Sequence, residues 1–253
     1  MLNIGRIFYG TAIAGMGSLT IYYKDFPYML FLTQPLLIPG FVYLTGILFI
    51  LVGASIVFEI KIRPVSFLFG SVLLLIFCFN HIPYEFGVNS NYKNLLEWDN
   101  AGKELALAGG AFIIAGCFSE KNKNTLNRFR ERLVPFGAIL FSIPIIIFGV
   151  LHLLYAKDVS TMVPLWIPRP VFWTYLAGIA LMGSGISIIF KIRTGIIAAL
   201  LGTMIFIWFI ILHIPRVINS PITDLDGEVT SAFLALAYSG IAFVIAGDAK
   251  KII

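Results

Sequence analysis

The sequence predicts an all-α integral membrane protein, with eight transmembrane helices arranged as two parallel four-helix-bundle repeats. Three observations carry that expectation. The 253 residues are 59% apolar and only 12% charged, where soluble domains carry about 25% charged residues; the mean hydropathy is +0.93. The apolar residues fall in runs of roughly 18 to 23, the length needed to cross a hydrocarbon core as a helix. Finally, Tyr175–Pro215 repeats Tyr43–Pro83 at an offset of 132 residues, with 15 of 41 positions identical and no gap. Backbone polar groups in lipid must be satisfied within their own segment, so the runs read as helices. The alternating segments of about ten residues expected of a β-barrel are missing.

The first run, Ile7 to Tyr23, follows Arg6. Ala12-Ile13-Ala14 fits a small-residue cleavage pattern but sits inside the run with almost no apolar stretch before it, so the segment is read as a retained helix. Residues 26–39 are apolar but broken by Pro27, Pro35 and Pro39, and residues 159–170 by Pro164, Pro168 and Pro170. Proline at that density does not build a spanning helix. Both stretches read as interfacial or re-entrant loops, with Trp166 at headgroup level.

The second and third helices are expected at about Phe41–Phe58 and Ser66–Ile82, and the fourth at about Gly102–Phe118. Residues 119–132, the one long basic hydrophilic stretch, read as a linker. It divides the chain into a first unit (1–118) and a second (133–253). The second unit repeats the plan at about Leu133–Tyr155, Phe172–Phe190, Thr194–Ile214 and Val229–Gly247.

Four spans per unit is an even number, so the units are parallel. Charge agrees with that parity. Twelve of the 18 basic residues and four of the 13 acids lie on the side of the N-terminus, the two short hinges, the linker and the C-terminus. The positive-inside rule places both termini in the cytoplasm. The +5 net charge is thus a topology signal, and no nucleic-acid partner is expected; the partner is the bilayer. Cys78 and Cys117 lie toward opposite ends of their helices, imply no disulfide, and read as buried, inert thiols.

No Asp, Glu, Lys or Arg is expected near mid-membrane, which argues against an ion pump. Gly46/Gly53 and Gly178/Gly185 each share a helix face, and Ala106/Gly110 and Ala235/Ser239 are small-xxx-small pairs. Close helix packing explains them; the alternative is a ligand slot lined by the glycines.

All three histidines, His81, His152 and His213, fall at the outer ends of helices. Pro83 and Pro215 are expected to end their helices, leaving carbonyls that an imidazole can cap. The functional alternative is a pair of sites facing the outer space, drawing on Asn80, Glu85, Arg216, Trp166 and Arg169. If the His-Ile-Pro copies only cap, they should look alike. If they serve a site, the second copy, with His152 and Arg216 available, should be the working one. No metal-ligand spacing, nucleophile elbow, P-loop, haem, flavin or dinucleotide motif is present, so no catalytic residue and no metal site is expected.

Gly149-x-x-His152, Val163-Pro164-x-Trp166-Ile167-Pro168, Phe172-Trp173-x-Tyr175-x-x-Gly178 and Leu212-His213-Ile214-Pro215-Arg216-Val217 occur in order, and together they resemble the DoxX-like family of small four-helix bacterial membrane proteins. The first half is a diverged copy, with Thr20 at the place of His152, Ile38-Pro39-Gly40 for the Trp-Ile-Pro element, and Tyr84 for Arg216. The resemblance implies a duplicated four-helix unit in a bacterial inner membrane. It also implies an accessory or quinone-linked role in a redox system, with a quinone or redox protein as partner. The alternative is a binder or carrier of a small hydrophobic or neutral molecule between the two bundles.

Overall fold

The computed structural model describes residues 1–31, 40–118 and 125–249, with the side chains of 125–135 left aside. Among these residues the ordered elements are helices, and there is no strand. The long ones are α1 (Leu2–Tyr23), α2 (Phe41–Val57), α3 (Ile62–Gly87), α4 (Asp99–Cys117), α5 (Thr125–Leu154), α6 (Pro170–Ile189), α7 (Thr194–Asn219) and α8 (Leu225–Gly247). Five of them are long and apolar enough to cross a membrane: α3, α5 over Phe136–Leu154, α6, α7 and α8. Their outward residues, such as Leu68, Ile179, Ile196 and Leu200, are exposed, as lipid-facing side chains should be. The protein is an α-helical, multi-pass membrane protein.

Helix α2 is apolar but shorter, at 17 residues. Helix α4 lies outside the set of five for a different reason. Nearly every residue from Ala101 to Cys117 is buried. A helix enclosed by other helices meets protein instead of lipid, so Gly, Ala and even Glu104 suffice where a lipid-facing helix needs Leu and Ile.

The helices pack as a closed ring of sequence neighbours: α1 on α2, α2 on α3, and so on to α7 on α8, with α8 returning to α1 and α4 touching α8 across the middle. Glycine makes the tightest of these contacts. A Cβ on Gly17 would lie 2.6 Å from the Gly46 carbonyl oxygen, and one on Gly149 2.6 Å from that of Gly178. A Cβ on Gly240 would lie 2.6 Å from the Gly5 oxygen, and one on Gly109 2.6 Å from that of Gly137. These positions recur at the sequence offset of about 132 residues. The glycines therefore bring backbones together, and neighbouring helix atoms occupy the space where they would line a slot.

The basic hinges are built alike. Glu59 and Lys61 have φ of 60° and 46°, and Lys191 and Arg193 have 59° and 45°. Ile60 N–H donates to Ser55 O and Ile192 N–H to Ser187 O, the six-to-one bond that closes a helix C-terminus through a left-handed residue. Arg6, buried, donates to the Ile56 and Val57 carbonyls at the end of α2 and pairs with Glu59 at 2.8 Å. It supplies donors for carbonyls that a helix end leaves unsatisfied.

Three expectations need correction. Pro83 and Pro215 do not end their helices; α3 continues to Gly87 and α7 to Asn219. Phe77–His81 and Phe209–His213 are π-helical turns, closed by bonds from Ile82 N–H to Phe77 O and Ile214 N–H to Phe209 O. The extra residue in each turn re-registers the ladder, so the proline sits at the start of a new α segment, where its missing N–H costs nothing. Second, α5 begins at Thr125, inside the stretch read as linker. Residues 119–124 lie outside the described residues, as do 32–39 of the first proline-rich loop and Lys250 and Lys251. Third, Cys117 is buried but Cys78 is exposed.

The glycine contacts make a direct test. Gly109→Leu must push α5 off α4 and should destabilise the protein by about 1–3 kcal/mol, the usual cost of overpacking. Gly183→Leu, on a face with nothing within 4 Å, should leave the melting temperature in detergent unchanged.

Candidate functional site

A cavity of about 410 Å³ opens among α5, α6, α7 and α8, reached also by Tyr28, Leu96, Asp99 and Lys103 from the first half of the chain. Its size falls in the range of about 300–1,000 Å³ typical of small-molecule sites. The wall is mostly apolar and aromatic, with Phe148, Trp173, Trp208 and Leu181 prominent, and a few polar groups converge on it. The cavity lies mainly among the second set of four helices, with the four first-half residues at its edge.

Two of the three histidines face it, from different helices. His152 is one turn from the C-terminus of α5, and its Nδ1 lies 2.7 Å from the Phe148 carbonyl oxygen. Phe148 O lies one turn back within the same helix, so the contact is a side-chain bond to an interior carbonyl and not a cap of the helix end. His213 ends the π turn of α7, and its Nδ1 is buried with no hydrogen-bond partner. The expected cap is absent there. Lys103 of α4 also lines the cavity. Its ammonium is paired with Asp99, donates to Asn100 Oδ1 at 3.2 Å and sits 4.9 Å over the Tyr28 ring.

His81, 132 residues before His213, has a different setting. It is fully buried, with Nε2 3.1 Å from the Met29 carbonyl oxygen and 2.8 Å from Glu104 Oε2. Its ring contacts are with another helix and a loop, not with its own helix end, so the capping expectation fails for His81 as well. Met29 and Leu30, each 1% exposed, carry the first proline-rich segment into the interior beside it. In the second half the corresponding segment behaves otherwise: Val159, Met162 and Val163 form part of the cavity wall. Helix α8 adds to the opening. Glu104 stands five residues before Gly109, and five residues before Gly240 stands Ala235, which lines the cavity.

The remaining candidates do not join the cavity. Arg216 makes a two-pronged pair with Glu228, Nε at 2.8 Å from Oε2 and Nη2 to Oε1, tying the end of α7 to the start of α8. Glu85 is buried and accepts from Asn89 Nδ2 at 2.7 Å. Trp166 is 70% exposed, Arg169 is the left-handed residue preceding α6, and Asn80 lies in the π turn of α3. None of the five lines the cavity. Among the described residues no group of three His, Cys, Asp or Glu side chains is placed to hold a metal ion.

Sequence reading missed Glu104, Lys103 and Tyr28. A signal for Glu104 existed: a carboxylate at the edge of the fourth apolar run, with a histidine at the same end of the preceding helix. Comparison with protein-family models, curated proteins and solved structures gives no match to the chain.

The buried pair gives a sharp stability expectation. His81→Ala leaves Glu104 buried without its partner and should cost about 3–5 kcal/mol. The double change His81→Leu with Glu104→Leu should recover most of that loss. A double-mutant cycle on thermal unfolding in detergent measures both; additive losses would show that the two side chains are not coupled.

Proposed function

We propose that the protein is a DoxX-like integral membrane protein of a bacterial inner membrane, an accessory, quinone-linked component of a redox system that binds its ligand in the second four-helix unit. The observation that carries this reading is the cavity of about 410 Å³, mostly apolar and aromatic, with two histidines and a lysine from three helices among its polar groups. A quinone matches that combination. Its ring suits the aromatic wall, its tail suits lipid, and its oxygens can accept from a donor such as His213.

The proposal includes the topology. Eight spans in two tandem units related by an axis along the membrane normal would account for the recurrence of glycine contacts, hinges and π turns at about 132 residues. Both termini would then lie in the cytoplasm with the basic hinges, and the His-Ile-Pro ends on the outer side. The first unit, filled by Met29, Leu30 and the His81–Glu104 pair, would be a structural partner to the binding unit.

Titration of the purified protein in detergent with a decyl-tailed benzoquinone tests the reading, with the emission of Trp173 and Trp208 as reporter. One molecule should bind per chain. Ala177→Phe, which fills the cavity, should abolish binding, and His213→Ala should weaken it about tenfold while leaving the protein folded. A redox-inactive amphiphile of the same size that binds equally well would favour a general hydrophobic binder. Absence of binding by either would remove the ligand-site reading.

A further inference from the structure

The polar groups around the cavity differ in what they can still offer a ligand. A carbonyl oxygen can only accept, so the 2.7 Å contact of His152 Nδ1 with Phe148 O fixes the hydrogen of a neutral imidazole on Nδ1. Nε2 then carries a lone pair and has no protein partner. Four other cavity-lining donors are committed in the same way. Thr174 Oγ1 donates to Pro170 O at 3.1 Å, Tyr155 OH to Asn94 Oδ1 at 3.2 Å, Tyr238 OH to Lys103 O at 3.1 Å and Trp173 Nε1 to Pro168 O at 3.1 Å. The Lys103 ammonium is engaged by Asp99, Asn100 and the Tyr28 ring.

What remains is weighted toward acceptors. His152 Nε2 and the hydroxyl oxygens of Thr174, Tyr155 and Tyr238 keep lone pairs. The uncommitted donors are the single N–H of a neutral His213, the indole N–H of Trp208 and one hydroxyl hydrogen of the Tyr28–Ser231 pair, whose oxygens lie 3.1 Å apart. A carbonyl ligand can satisfy only the donors and would face the His152 lone pair with another. A hydroxyl can donate to His152 Nε2 and accept from His213 or Trp208. Leaving a buried acceptor unmatched is the costlier arrangement.

We infer that the cavity selects a hydrogen-bond-donating ligand, a phenol or hydroquinone ring, over the quinone of the same ring, and that His152 sets this preference. The inference rests on the ligand-binding reading above and adds the oxidation state of the ligand to it. The tautomer of His152 is imposed by its contact with the carbonyl one turn back on its own helix.

Three decyl-tailed ligands on one ring test this by calorimetric titration in detergent under argon: the quinone, the quinol, and the quinol dimethyl ether, which has lost its donors. The quinol should bind about tenfold more tightly than the quinone, the worth of roughly one hydrogen bond, and the ether no better than the quinone. His152→Phe should remove the difference while the quinone affinity stays within about twofold. His152→Gln, whose amide oxygen still accepts, should keep part of it. Equal or tighter binding of the quinone or the ether would overturn the inference, as would an undiminished quinol preference in His152→Phe. Failure of all three ligands to bind would instead remove the ligand-binding reading, and this inference with it.

Discussion

Close approach of helix backbones is the constraint from which the rest of this architecture follows. In lipid, side chains gain little by leaving one apolar environment for another, so helices are held by packing and by the few polar contacts they share. Here packing is concentrated at glycines whose missing Cβ lets a neighbouring carbonyl come within 2.6 Å of where it would stand, as at Gly109 against Gly137 and Gly240 against Gly5. Those contacts bury α4 and α8 at the centre of the ring, where their small residues meet backbone. Tyr9, fully buried on α1, adds a hydrogen bond from its hydroxyl to Leu107 O of α4 at 2.8 Å.

Among the described residues, packing lets up around His213 and not around His81. Residues around His81 are closed by Met29, Leu30 and Glu104; residues around His213 leave a cavity. The two surroundings share a backbone plan, down to the π turn that carries Pro83 and Pro215, and differ in a handful of side chains. Glu104 reaches His81, whereas Ala235 is too short to reach anything across the cavity. Met29 and Leu30 fill, whereas Met162 and Val163 line. A buried carboxylate beside an imidazole is stable only while both partners are present, which commits the first site to structure. An open site with an unpartnered imidazole is free for a ligand.

Much of the fold was legible in the sequence because its signals are local or periodic. Run length and hydropathy marked the helices, and the duplication of Tyr43–Pro83 marked the corresponding hinges. The paired glycines seven apart marked contact faces. Helix ends were less legible at the two prolines. Proline normally stops a helix, and nothing in Asn80-His81-Ile82-Pro83 or Leu212-His213-Ile214-Pro215 announces that an extra residue in the preceding turn will absorb it. The histidines were legible as a set, and the second copy was the one expected to work if they serve a site. Of its companions, His152 and His213 reach the cavity, while Arg216 is occupied by Glu228 and Trp166 points outward.

The sequence by itself determined an all-helical membrane chain, the internal duplication and the closeness of its glycine faces, since each depends on composition or on spacing along the chain. Only the tertiary structure decided that Glu104 and Met29 meet His81, that Lys103 and Tyr28 cross from one half to serve a cavity in the other, and which nitrogen of His152 is left to face it. Those facts depend on distances between helices far apart in sequence. A shift of one residue in a π turn, or one methyl group at a helix contact, changes them without changing the hydropathy pattern.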